Sequence, residues 1–167
     1  IRDCAEKGTG QMDELLDLLE GRSDISVFLR GPVIRRGTAE GPLVGGNLTM
    51  ICHLAGTPFM PVLDGCILFL EDRGEPLYRI DRMLTQLALG GQLKRIAGLV
   101  AGDFIDCGDT GAIHKMICDM TADIGVPVAS GLPLGHGLEN IALPIGAGAQ
   151  LDASRLRLRV TDKWFKE

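Results

Sequence analysis

The sequence is most informative first in what it lacks. Its continuous apolar run at residues 66–70 falls far short of the ~20 residues that span a bilayer, so no membrane partner is expected. One Trp, one Tyr and five Phe leave little to stack on nucleic-acid bases. No basic run appears and the formal net charge is −5, which argues against a polyanion partner. There is no Gly-Lys-Ser/Thr and no dinucleotide fingerprint, so no nucleotide cofactor is indicated. The five cysteines (Cys4, Cys52, Cys66, Cys107 and Cys118) are odd in number and form no CxxC pair. Cys52 and Cys66 sit in apolar stretches and read as core residues, fitting a reducing, cytoplasmic setting. No secretory signal is visible, and the opening Ile1-Arg2-Asp3 without Met reads as a fragment or a processed product.

What remains is a globular composition: 167 residues, 46% hydrophobic and 23% charged. One domain over residues 1–167 can bury about two-thirds of the surface its unfolded chain exposes. Glycine contributes 23 residues, about twice the usual ~7%, which predicts tight turns and close backbone approaches.

Along the chain, Thr9 can cap a helix over residues 10–20, with Met12, Leu15, Leu16 and Leu19 on one face and Gly21 as its stop. Residues 27–36 read as extended, broken by Gly31-Pro32. A glycine-rich turn over 37–47 then opens a short apolar helix through Leu54. Residues 66–70 read as a strand buried on both faces. Ile80, Met83, Leu84 and Leu87 mark a helix over 78–89, and Ile113, Met116, Ile117, Met120 and Ile124 mark another. Residues 96–101 and 126–129 read as further buried strands. At the end, Leu156, Leu158 and Val160 alternate with Arg155, Arg157 and Arg159, a strand with three Arg turned outward. Alternating strands and helices predict an α/β layered fold.

Three segments can carry chemistry. Gly41-Pro42-Leu43-Val44-Gly45-Gly46-Asn47 leads into a helix start, which suits either anion binding by free N–H groups or a tight turn with Asn47 as cap. Glu71-Asp72 closes a buried strand, where a carboxylate can orient a histidine or act as a base. Gly135-His136-Gly137 follows another strand and exposes an imidazole suited to proton transfer. His53 and His114 read as structural or solvated. His136 and Glu139 have no third ligand at a matching spacing, so no metal is assigned. Of the four serines, Ser130 is too near His136 in sequence, Ser154 lies in a polar turn, and Ser23 and Ser26 remain. Asp81-Arg82 reads as a structural ion pair.

In combination these segments resemble the C-terminal part of the LD-carboxypeptidases, also called muramoyltetrapeptide carboxypeptidases. The matching pieces run in family order from Gly37-Thr38-Ala39-Glu40 through Gly46-Asn47-Leu48, Leu54-Ala55-Gly56-Thr57-Pro58, Glu71-Asp72 and Tyr78-Arg79-Ile80-Asp81-Arg82 to Gly131-Leu132-Pro133-Leu134-Gly135-His136 and Leu143-Pro144-Ile145-Gly146. The resemblance implies a swivelling β/β/α-type domain, a mixed sheet with flanking helices. It implies a Ser-Glu-His triad with the glutamate at Glu71 and the histidine at His136, and a substrate site lined by Asn47 and Gly46. No cofactor is implied. The implied reaction is cytoplasmic release of D-alanine from the L,D-tetrapeptide of peptidoglycan during murein recycling. The implied partners are a muropeptide and an upstream nucleophile-bearing domain of the same protein, and a homodimer is compatible with both. Gly21-Arg22-Ser23-Asp24-Ile25-Ser26 copies the family's nucleophile motif, but it lacks the strand-to-helix elbow and stands too close to Asn47. The nucleophile is therefore expected outside this chain. A second implied reading is an amidase of peptide–nucleotide antibiotics, as in the microcin self-immunity peptidases. An aromatic stacking loop would favour it, and Trp164 beyond the last motif does not supply one. A binding domain that kept the pocket without the nucleophile is the non-enzymatic alternative.

Overall fold

The computed structural model describes residues 9–20 and 25–162. Its centre is the strand anticipated from its unbroken apolar run, β4 (Ile67–Arg73), which is buried from Ile67 to Asp72. Because side chains alternate along a strand, Leu68 and Leu70 enter one core while Ile67 and Phe69 enter another. Parallel partners follow on one side: β5 (Gly98–Ile105), then β6 (Val128–Ser130). Short β2 (Val33–Arg35) closes that edge antiparallel to β6.

On the other side of β4 the structure departs from expectation. The glycine-rich segment is not a turn but a ten-residue strand, β3 (Thr38–Asn47). Its first half pairs antiparallel with β7 (Gly148–Asp152) and its second half parallel with β4. Glycine here serves close approach between strands: a Cβ on Gly45 would run into the Phe69 carbonyl. β7 carries β8 (Arg157–Val160), and β8 carries β1 (Ser26–Phe28), both antiparallel. The resulting sheet of eight described strands has the order β1-β8-β7-β3-β4-β5-β6-β2. It is the mixed sheet with flanking helices that the sequence led us to expect.

Helices α2 (Leu48–Leu54), α3 (Leu77–Leu89) and α4 (Thr110–Met120) cover one face through Ile51, Ile80, Leu84, Leu87, Ile113 and Ile117. Arg35 on the edge strand fastens the end of α4, donating to the carbonyls of Thr121 (2.9 Å), Cys118 (3.0 Å) and Val126 (3.1 Å). The Cys118 and Thr121 carbonyls are orphan acceptors that a helix C-terminus leaves behind, and Val126 lies in the segment that follows.

Two further expectations are corrected. In α1 (Thr9–Leu19) it is Leu18 that is buried, while Leu16 and Leu19 of the predicted inner face are exposed. Asp81 and Arg82 are both exposed, and no ion pair joins them among the described residues; adjacent helix positions do not face each other. Of the three arginines expected to face outward from a strand, Arg157 and Arg159 do so on β8, with Arg157 donating to Ser26 Oγ at 2.8 Å and lying over the Phe28 ring, whereas Arg155 is exposed in the turn before it. Ser23, Cys4 and Trp164 lie outside the described residues.

Candidate active site

The carboxyl ends of the parallel strands bring Glu71 and His136 together. Glu71 is the fifth residue of β4, and alternation turns it toward the Ile67–Phe69 face. The loop after β6 crosses that face and lays His136 on it, with Nδ1 2.8 Å from Glu71 Oε2. The Glu71 side chain is 6% exposed and that of His136 45%. One partner is thus fixed within the protein and the other is presented outward. A carboxylate only accepts hydrogen bonds, so in the neutral ring Nδ1 carries the proton and Nε2 keeps its lone pair as a base.

The local chain is shaped for this contact. Pairing of β4 with β5 slips between Leu70 and Asp72, placing Gly102 and Asp103 opposite Glu71. Such irregularities re-aim side chains at strand ends. The loop is held by Leu132 N–H to the Ala101 carbonyl (3.2 Å), Asp103 N–H to the Leu134 carbonyl (3.1 Å) and Ile141 N–H to the Pro133 carbonyl (3.0 Å). Gly135 sits directly on the glutamate: its φ is 128°, and a Cβ there would lie 2.6 Å from Glu71 Oε2. Gly135→Ala is therefore expected to lower stability by about 1–3 kcal/mol and to broaden the low-field Nδ1–H resonance of His136, read by thermal unfolding and proton NMR.

Asn47 and Gly46 lie beside the dyad, since the parallel register pairs Asn47 with Glu71 and Gly46 with Leu70. The cap reading of Asn47 holds: its Oδ1 accepts from Met50 N–H at 3.1 Å. The anion reading of this helix start fares less well, because the N–H groups of Thr49 and Met50 already donate to Asp72 and Asn47. Gly46 has open space where a Cβ would stand.

Two further carboxylates stand near the strand ends: Asp72, singled out in the sequence together with Glu71, and Asp103, which sequence reasoning passed over. Asp72 points to the opposite face from Glu71 and is 2% exposed, with four donors on its oxygens. Asp103 lines a groove of about 500 Å³ with Arg30, His114, Leu138 and Glu139. Burial, then Glu71 and Glu139, push its carboxyl above the ordinary value. The available signal for Asp103 was position alone: it follows the buried half of β5.

Other nucleophiles are turned away from this chemistry. Ser130 Oγ donates to the Pro32 carbonyl at 3.1 Å, Ser154 Oγ accepts from Gly37 N–H, and Ser26 Oγ holds Arg157. Burial pushes the Cys52 and Cys66 thiols up to about 11, leaving little thiolate near neutral pH. His114 is half-buried, which lowers its affinity for a proton, and His53 is exposed in the last turn of α2.

A family model described as the LD-carboxypeptidase C-terminal domain matches residues 40–151. The chain belongs to that family. It is 40% identical over 122 residues to the murein tetrapeptide carboxypeptidase of Pseudomonas aeruginosa, a match covering 71% of this chain and 40% of that protein. It is 26% identical over 133 residues to the microcin C7 self-immunity protein MccF of Escherichia coli, covering 77% and 39%. The crystal structure of muramoyltetrapeptide carboxypeptidase from Oxalobacter formigenes superposes with a TM-score of 0.76 at 33% identity, covering 92% of this chain and 56% of that one. The matches reach only about two-fifths of the length of these curated relatives. Within this LD-carboxypeptidase domain, no described helix is long and apolar enough to cross a membrane.

Proposed function

We propose that the protein carrying this chain is a cytoplasmic serine LD-carboxypeptidase that releases D-alanine from the L,D-tetrapeptide of peptidoglycan in murein recycling. The chain supplies Glu71 and His136 to a Ser-Glu-His triad, and an upstream domain of the same protein supplies the serine. By itself the chain is inactive. The observation that carries this reading is the 2.8 Å contact of a buried carboxylate with the Nδ1 of a half-exposed imidazole. It is supported by the likeness to murein tetrapeptide carboxypeptidases over most of the chain.

In this mechanism Glu71 holds His136 in the Nδ1–H tautomer and stabilises the imidazolium when it forms. Nε2 takes the proton of the serine hydroxyl as that oxygen attacks the L-to-D amide carbonyl. The same proton then passes to the leaving nitrogen of D-alanine, and water releases the acyl group by the reverse sequence. Asn47 and Gly46 line the substrate side.

Likeness to MccF supports a second reading, an amidase acting on peptide–nucleotide conjugates. One assay separates them. The protein carrying this chain is incubated with a muramoyl tetrapeptide and, separately, with an aminoacyl-nucleotide amide. D-alanine released from the first, with little turnover of the second, is the expected result. Turnover of the second alone would move the assignment to the amidase, and release by the isolated chain would overturn the split triad.

A further inference from the structure

We infer that Asp72 is a positioning residue that fixes the side-chain amide of Asn47, the residue in register with Glu71 on the neighbouring strand. The inference rests on the proposed carboxypeptidase reading for its substrate, and on hydrogen bonding for everything else. Asp72 follows Glu71 directly, so strand alternation sends the two carboxylates to opposite faces of the sheet. Glu71 meets His136, while Asp72 turns to the start of α2. There Oδ1 accepts from Asn47 Nδ2 at 2.8 Å and from Arg73 N–H at 2.8 Å. Oδ2 accepts from Thr49 N–H at 2.9 Å and from Thr49 Oγ1 at 2.8 Å.

A carboxylate has about four acceptor sites, and all four are used in a place that is 2% exposed. This arrangement decides the amide orientation of Asn47. Its oxygen faces Met50 N–H and its nitrogen faces Asp72; a flipped amide would set oxygen against oxygen and N–H against N–H. Asn47 Nδ2 carries two protons, of which Asp72 takes one. The other is a donor of fixed direction on a residue in register with Glu71. A preset donor binds a peptide without spending rotamer entropy at each encounter. Asp72 thus ties strand β4, which carries the acid of the dyad, to the donor on β3.

The test uses the protein carrying this chain, a muramoyl tetrapeptide, and four variants: Asp72→Asn, Asn47→Ala, their double variant, and Thr49→Val. Asp72→Asn keeps the shape but replaces an acceptor with a donor. A donor that only holds substrate acts equally on ground and transition states, so the expected change is about a tenfold rise in KM with little change in kcat. In the Asn47→Ala background the same substitution should add nothing further to KM, because the residue through which it acts is gone. Thr49→Val removes one donor from Asp72 without touching Asn47; it should lower Tm and leave KM unchanged. Full additivity of Asp72→Asn with Asn47→Ala, or a fall in Tm with KM unaltered, would overturn the inference. If the protein releases no D-alanine, the carboxypeptidase reading fails and the side-chain amide of Asn47 is followed by NMR in the full chain. Two separate, slowly exchanging Nδ2–H signals that merge in Asp72→Asn support the positioning role; unchanged signals refute it.

Discussion

Replacing His136 with alanine should lower kcat/KM for D-alanine release by about 10⁴-fold, with KM nearly unchanged. In the proposed mechanism the imidazole does two things: it accepts the serine proton and then returns it to the leaving nitrogen. Of the other described histidines, His53 ends α2, and His114 on α4 lines the groove with Asp103 and Glu139 but has its affinity for a proton lowered by burial. Cysteine thiols in the core hold their protons too firmly to substitute. The fold should survive, because the His136 side chain is half-exposed and its loop is held by backbone hydrogen bonds. What the variant loses in stability is the partner of Glu71, a buried carboxylate left unpaired, costing about 1–3 kcal/mol. The measurement is steady-state D-alanine release by the protein carrying this chain, alongside Tm. A loss below tenfold with an intact Tm would remove His136 from the mechanism.

How much of this site the sequence disclosed follows from which interactions are local. β4 was legible because burial on both faces leaves an unbroken apolar run, and its end then placed Glu71 at a strand terminus. The His136 loop was legible because two flanking glycines after a strand leave an imidazole uncovered and open to a ligand. β3 was not. Its glycines satisfy turn chemistry as well as they satisfy close strand packing, and only the distant β7 and β4 settle which applies. β7 itself, Gly148–Asp152, carries too little apolar patterning to stand out before its neighbours are known. In α1 the helical period marked an apolar face correctly as a pattern, but period does not say what covers a face, and Leu16 and Leu19 are exposed. The pairing of Glu71 with His136 came from the resemblance alone, because a 65-residue separation leaves no trace in local periodicity. The work of Asp72 was hidden for the same reason: its donors lie on a different strand and helix.

Glu71→Gln should cost nearly as much as losing the histidine: kcat down about 10⁴-fold, as expected when the acid of a Ser–His–acid triad becomes an amide. Gln fits the same space, so packing is preserved and the change is one of hydrogen-bond direction. With the amide nitrogen toward the ring, Nδ1 must accept, the proton moves to Nε2, and the base toward serine disappears. With the amide oxygen toward the ring the tautomer is kept, but the charge that steadies the imidazolium is gone. Either orientation removes something the transition state needs, so kcat falls and KM does not. The site itself restricts the escape routes. Glu71 is 6% exposed along its side chain, Gly135 leaves no room for even a Cβ beside Oε2, and Gly102 and Asp103 stand opposite across the slipped register. A rescuing water or added carboxylate has little room to enter, so formate should not restore activity to Glu71→Ala, whereas imidazole should partly restore His136→Ala at its open surface. In the double variant Glu71→Gln, His136→Ala the loss should match that of His136→Ala alone, because residues acting as one unit do not contribute additively. A further drop of 10²-fold or more in the double variant, beyond His136→Ala, would mean Glu71 acts on the substrate directly and not through the imidazole.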